Sequence, residues 1–180
     1  MFINLENHKA HLYVHNELEN SSGTILLIPG AGMDYRMGMM INLNNLYSNF
    51  NVLSVDLPGH GFTSGPLKYT IEELSDFCIS IILNLEIDNL ILIGHSMGGL
   101  VALDISSKIN NNMTILMNTS YPLQVGEQLL QHAKNNLDQA GEFLTKYGTF
   151  NIPEVTLKAG VFGSLGASFY NKVNGEIQSP

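Results

Sequence analysis

Hydrophobic residues along this chain follow one spacing typical of strands and another typical of helices. Near the start, segments at about 2–5 and 10–15 alternate apolar and polar residues, and the polar residues between them favour a turn. They predict an antiparallel hairpin. Three later segments, at 24–28, 52–55 and 89–93, are apolar at successive positions. Such runs are typical of strands buried on both faces of a parallel sheet.

Helical spacing alternates with these strands. Apolar residues between 71 and 85 form one stripe, and Thr70 followed by Glu73 predicts a capping box at its start. A second helix is predicted after residue 96, and residues 113–118 supply another strand. Strand and helix thus alternate through the middle of the chain, which predicts a doubly wound α/β sheet.

The pattern changes after Pro122. One amphipathic helix is predicted over 129–137 and another around 143–147, and from Gly148 onward glycines favour loops with short helical pieces. We therefore expect a core at residues 1–121 and an incomplete helical cap or lid region at 122–180.

Composition limits the functions that are open to the chain. It has 180 residues, enough for one domain, and a net charge of −8 with scattered basic residues, which argues against nucleic-acid or anionic-membrane partners. The N-terminus lacks the basic and apolar regions of a secretory signal, and no apolar run is long enough to span a membrane. Cys78 is the single cysteine and falls on an apolar helix face, so we expect a cytoplasmic protein with Cys78 in its core.

The strongest chemical signal lies at the end of the predicted strand at 89–93. Ser96 stands between Gly94 and Gly98, in the order Gly-His-Ser-Met-Gly. A strand that turns sharply into a helix holds a serine in a strained, exposed conformation, and side chains at the two glycine positions would collide with the backbone. The spacing predicts a nucleophile elbow, with a serine in an ordinary tight turn as the alternative.

Two further motifs accompany this elbow at the ends of predicted strands. They are Ile28-Pro29-Gly30-Ala31-Gly32 and Asp56-Leu57-Pro58-Gly59-His60-Gly61. With the elbow, they resemble the N-terminal two-thirds of an α/β-hydrolase-fold enzyme. The resemblance implies a mostly parallel, doubly wound sheet that begins with a hairpin and leads into a helical cap.

The same resemblance implies a chemistry. Ser96 would be the nucleophile of a serine hydrolase, and the backbone amides of Met97 and Ala31 would form the oxyanion hole. The substrate would be a small ester, thioester or related acyl compound. Most relatives carry histidine where this chain has Pro29, and a glycine-rich turn without a catalytic part is the alternative for this loop.

Other chemically capable side chains receive plainer interpretations. Asp56 precedes the serine in the chain, so we interpret it as structural and not as the triad acid. His60 is expected to be solvated or bonded to backbone, His95 to pack away from Ser96, and His132 to lie on the surface. Arg36 is expected to be an exposed helix arginine, with substrate carboxylate binding as the alternative.

The acid and histidine of the family's triad normally follow the serine in the chain. By resemblance they would come after two further strands, and no such strand is predicted before the end, so we expect a truncated chain of uncertain activity. The alternative is an inactive fragment, or a non-catalytic domain that binds a small molecule or partner. The strand at 113–118 would then expose an edge that permits self-association. No metal-ligand spacing or nucleotide loop is present, so no cofactor is implied.

Overall fold

A computed structural model describes residues 1–147 of the chain. Its strands are β1 (Phe2–Asn4), β2 (Lys9–Asn16), β3 (Thr24–Ile28), β4 (Asn51–Val55), β5 (Leu90–His95) and β6 (Met113–Met117). Its α-helices are α1 (Ile71–Asn84), α2 (Met97–Lys108), α3 (Glu127–Asn135) and α4 (Leu137–Tyr147), and a 3-10 helix occupies Tyr35–Met40. The interpretation of residues from 148 onward lies outside the described part of the chain.

The described strands form one sheet in the order β1-β2-β4-β3-β5-β6. β2 runs antiparallel to both β1 and β4, whereas β4, β3, β5 and β6 are mutually parallel. The predicted hairpin and the predicted mostly parallel α/β sheet are therefore confirmed. Because ligands of parallel sheets bind beyond the carboxyl ends of the strands, the loops after β3, β4 and β5 are the ones that position a site.

Alternate residues of the central strands enter two separate cores. On β3, Leu26 and Ile28 pack with the helices α1 and α2, whereas Ile25 and Leu27 pack with the segment that contains the 3-10 helix. This alternation follows from the two-residue period of a strand. It also explains why the strand sequences are apolar at successive positions.

Helix α1 begins as the sequence predicts. The Thr70 hydroxyl accepts a hydrogen bond from the Glu73 amide, and the Glu73 carboxylate accepts one from the Thr70 amide, both at 3.1 Å. Cys78 lies fully buried on the inner face of this helix, which confirms its expected place in the core.

Two features differ from the sequence-based expectation. The helix predicted over 129–137 ends at Asn135, because the side chain of Asn136 accepts hydrogen bonds from the amides of Asp138 and Gln139 and so begins α4. α3 and α4 pack against each other. The 3-10 helix was not predicted, and Asp34 caps it by accepting a hydrogen bond from the Arg36 amide.

Strand β6 lies at an edge of the sheet as far as the described residues go. Its side chains remain accessible, with Met113 55%, Ile115 38% and Leu116 46% exposed. Within residues 1–147 no helix is both long and apolar enough to cross a membrane.

Candidate active site

Ser96 occupies the junction between β5 and α2. Its backbone has φ 52° and ψ −119°, a conformation that L-residues rarely adopt. Two hydrogen bonds hold it there, from the Ser96 amide to the Met117 carbonyl and from the Gly99 amide to the Ser96 carbonyl, each at 2.9 Å. The junction is thus a sharp strand-to-helix turn with a half-buried serine at its tip.

The glycines on either side of Ser96 are required by close backbone approach. A Cβ atom on Gly94 would fall on the carbonyl of Gly98, and one on Gly98 would meet the Ile28 carbonyl and lie 2.5 Å from the Pro29 oxygen. Carbon and oxygen atoms need more than 3 Å. Any side chain at these positions would therefore force α2 away from β5 or from the loop that follows β3.

That loop lies directly beside the serine. A Cβ atom on Gly30 would be 3.2 Å from the Ser96 Cβ, so Gly30 and Ser96 are in contact. The Met33 amide donates to the Gly30 carbonyl at 3.1 Å and closes a turn with Ala31 and Gly32 at its centre. Ala31 is exposed, and its amide has no hydrogen-bond acceptor among residues 1–147.

His95 packs against this loop and does not bond to Ser96. Its Nδ1 atom would lie 3.0 Å from a Cβ on Gly30, and it is buried with no hydrogen-bond partner among the described residues. Burial lowers the pKa of the His95 ring, which favours the neutral form. The arrangement agrees with the interpretation of His95 as a packing residue.

Asp56 lies at the end of β4 and is fully buried. Its carboxylate accepts hydrogen bonds from the amides of Tyr35 (2.7 Å) and Phe62 (2.8 Å) and from the ring of His11 (2.8 Å). Burial raises the pKa of this carboxyl, while the three donors act in the opposite direction. Asp56 thus connects β2, the 3-10 helix and the loop at 56–64, which agrees with a structural role.

Sequence reasoning missed the partner of Asp56. His11 is 8% exposed and lies on β2, with its Nδ1 toward the carboxylate. The alternating pattern of β2 predicts that this histidine lies on a strand. No sequence pattern predicts its contact with Asp56, which is 45 residues away. The pair arises from the antiparallel alignment of β2 with β4.

The remaining candidates also have partners. His60 bonds to backbone, with Nε2 3.1 Å from the Gly32 amide and Nδ1 3.2 Å from the Pro58 carbonyl.

The guanidinium of Arg36 pairs with the buried Asp34 through Nε, at 2.8 and 3.0 Å, and through its terminal nitrogen. The hydrogen bond to Asp34 raises the Arg36 pKa. Arg36 is therefore part of an ion pair and not the exposed side chain that the sequence suggested.

His132 lies half-exposed on α3 and bonds to Gln139 of α4. Among the described residues, no group of three or more His, Cys, Asp or Glu side chains could hold a metal ion.

A sequence model of the alpha/beta hydrolase family matches residues 25–176 of the chain. The chain belongs to the alpha/beta hydrolase family. The order of the described strands and the position of Ser96 after β5 agree with this assignment. Members of this family and the structural neighbours of the chain are hydrolase enzymes.

Individual relatives match parts of this chain. It is 35% identical over 92 residues to the dihydrolipoyllysine-residue acetyltransferase component of the acetoin cleaving system of Pseudomonas putida, a match that covers 50% of the chain and 25% of that protein. It is 30% identical over 98 residues to the candidate carbamate hydrolase RutD of Agrobacterium fabrum, covering 53% of the chain and 37% of that protein. The chain thus spans between a quarter and about two fifths of the length of these curated relatives.

Among solved structures, the chain is similar to the enol-lactonase from Burkholderia xenovorans LB400. The TM-score is 0.73 at 21% sequence identity, and the match covers 94% of the chain and 67% of the enol-lactonase. At this identity the likeness confirms the fold.

The glycine contacts generate a prediction about the stability of the chain. We expect Gly98→Ala to destabilise the chain by about 2–4 kcal/mol, because the new methyl group meets two carbonyl groups that the sheet holds in place. Gly141→Ala is the matched control, since a Cβ there meets nothing within 4 Å and the position is helical, so alanine should be neutral or slightly stabilising. Urea unfolding followed by circular dichroism measures both. Equal stabilities would contradict the close approach at Gly98.

Proposed function

We propose that this chain carries the nucleophile of a serine hydrolase, and that the nucleophile is Ser96. The observation that carries this proposal is the strained serine at the tip of the β5–α2 turn, in contact with the Gly30 loop. Backbone strain of this kind is retained where the surrounding structure enforces it, and it concentrates at functional sites. The serine hydroxyl makes no hydrogen bond to any described residue that would withdraw it from a substrate.

The oxyanion hole is proposed to consist of the amides of Met97 and Ala31. Met97 is the first residue of α2, and the first amides of a helix have no acceptor within the helix. The helix dipole adds a partial positive charge at the same place, which favours a developing negative charge. Ala31 is an exposed residue of the neighbouring turn, and its amide donates to no residue among 1–147. Two such donors could stabilise the tetrahedral intermediate of acyl transfer.

The substrate is proposed to be a small ester, thioester or related acyl compound. The names of the similar proteins refer to an enol-lactonase, a candidate carbamate hydrolase and an acetyltransferase component. Each of these names implies chemistry at a carbonyl carbon, which agrees with a serine nucleophile.

We further propose residues 1–121 as the core and 122–180 as a cap or lid region. A cytoplasmic location stays a prediction, supported by the single buried thiol.

A covalent probe tests the role of Ser96. We expect a fluorophosphonate to modify the purified chain slowly at Ser96, because the oxyanion donors act even where the base is weak or missing. Mass spectrometry of digested protein identifies the modified residue. Ser96→Ala should abolish the modification, and Ser107→Ala, which changes an exposed serine of α2, should leave it intact. Modification elsewhere, or none, would contradict the proposal.

A second candidate function is a non-catalytic domain that binds a small molecule or a partner. All six histidines of the chain lie within the described residues, and none of them hydrogen bonds to Ser96. His95, the one adjacent in sequence, has a buried Nδ1 atom with no hydrogen-bond partner among residues 1–147. Without a base, a serine hydroxyl stays protonated and is a weak nucleophile.

This absence generates a prediction about turnover. We expect the 180-residue chain to hydrolyse p-nitrophenyl acetate at nearly the same low rate as its Ser96→Ala variant, because loss of the base alone costs about as much as loss of the serine. The rate of nitrophenolate release measures this. Robust turnover that Ser96→Ala abolishes would instead indicate a base within the chain and would exclude the non-catalytic function.

The exposed strand β6 supports a proposal of self-association. We expect the chain to form dimers or larger species through β6 as its concentration rises, because β6 has no outer neighbour among residues 1–147 and an apolar edge can pair with a second chain. Ile115→Lys should shift the chain toward monomer, whereas Leu130→Lys, an equal change on an exposed site of α3, should not. Size-exclusion chromatography with light scattering measures both variants. A wild-type chain that stays monomeric at high concentration would overturn the proposal.

A further inference from the structure

His60 connects the loop that contacts Ser96 through Gly30 to a second loop of the same sheet edge. One loop follows β3 and contains Ala31 and Gly32, and the other follows β4 and contains His60. β3 and β4 are neighbours in the sheet, so their loops leave the same edge side by side. The Gly32 amide donates to Nε2 of His60 at 3.1 Å, across a separation of 28 residues in sequence.

The partners of His60 define its tautomer. The Gly32 amide can only donate, so Nε2 must carry a free lone pair. The Pro58 carbonyl, 3.2 Å from Nδ1, can only accept, so Nδ1 must carry the proton. His60 is therefore neutral in this arrangement. Its backbone bond to Pro58 orients the ring and aims Nε2 at the loop that follows β3.

The bond from Gly32 acts on the middle of a tight turn. The hydrogen bond from the Met33 amide to the Gly30 carbonyl closes the turn, and Gly32 has φ 71° at its third position. Turns of type II have this positive φ, and they differ from type I turns by a reversal of the central peptide. Here the central peptide joins Ala31 to Gly32. The acceptor on His60 favours the orientation in which the Gly32 amide points away from the turn.

We propose that His60 is a positioning residue for the oxyanion loop: its Nε2 atom holds the Gly32 amide and thereby fixes the turn that presents the Ala31 amide beside Ser96. The part that concerns Ala31 rests on the proposed function. The hydrogen bond between His60 and Gly32 does not.

Three variants of His60 distinguish the effect of the hydrogen-bond acceptor Nε2 from the effect of the size of the side chain. His60→Gln can place a carbonyl oxygen near the position of Nε2, whereas His60→Asn reaches only the position of Nδ1. His60→Phe keeps a ring and removes both polar atoms. His132→Phe is the control, because His132 lies on α3 and bonds to Gln139 of α4. Thermal melting of each variant shows that it is folded.

The first measurement is hydrogen exchange of the Gly32 amide in the isotope-labelled chain, followed by NMR. Loss of one hydrogen bond should accelerate exchange about fivefold in His60→Phe and His60→Asn. His60→Gln and His132→Phe should exchange like the wild type. Unchanged exchange in His60→Phe would overturn the proposal. If that variant does not fold, equal exchange in the Gln and Asn variants would overturn it.

The second measurement is the rate at which a fluorophosphonate modifies Ser96. A misplaced oxyanion donor should slow modification about tenfold in His60→Phe and His60→Asn, with recovery in His60→Gln. Equal rates in all variants, together with altered Gly32 exchange, would overturn the link between His60 and the oxyanion loop. A wild-type chain that is not modified at all would contradict the proposed function, while Gly32 exchange would still decide whether His60 holds the turn.

Discussion

Contact between bare backbones at the end of β5 is the constraint on which the rest of the structure depends. Gly94 approaches the Gly98 carbonyl, and Gly98 approaches the carbonyls of Ile28 and Pro29. No side chain fits between these groups, so α2, β5 and the loop after β3 are fixed relative to one another by steric exclusion. The strained backbone of Ser96 follows from that arrangement, because the chain must reverse within one residue to begin α2.

A second constraint is electrostatic and acts one strand away. Burial of the Asp56 carboxylate is costly unless its oxygens are satisfied, and here two amides and a histidine ring satisfy them. Gly61 leaves room for this carboxylate, since a Cβ there would overlap it. These hydrogen bonds hold two segments against Asp56. The loop at 56–64 folds over one carboxylate oxygen, and the Tyr35 amide at the start of the 3-10 helix donates to the other.

Sequence patterns predicted those parts of the fold that depend on local or periodic signals. Mostly apolar runs indicated β3, β4 and β5, and the Thr70 to Glu73 spacing indicated the start of α1. The family resemblance and the fold class are confirmed, whereas the roles of Ser96, Met97 and Ala31 stay predictions. The position of Ser96 after a strand could be predicted because the steric cause of the glycine spacing is visible within the five consecutive residues 94–98.

The features that the sequence did not reveal depend on single hydrogen bonds that leave no periodic pattern in the sequence. The 3-10 helix forms because Asp34 caps it and Asp56 receives the Tyr35 amide, and neither bond has a periodic signature. The break between α3 and α4 rests on one asparagine within a continuous amphipathic pattern. The bond between His60 and Gly32 likewise forms only when the loops after β3 and β4 meet, whereas Arg36 pairs with Asp34 two residues away in the same loop.

Alkylation of the buried cysteine of α1 can report how often this helix detaches from the sheet. Burial raises the pKa of the Cys78 thiol to about 12, so the reactive thiolate is essentially absent while the helix stays packed on the sheet. An alkylating reagent can therefore modify Cys78 only in molecules in which α1 has detached or the chain has unfolded. Cys78 is the one cysteine of the sequence and lies in the core between α1 and the sheet. Each alkylated molecule has therefore exposed that core at least once.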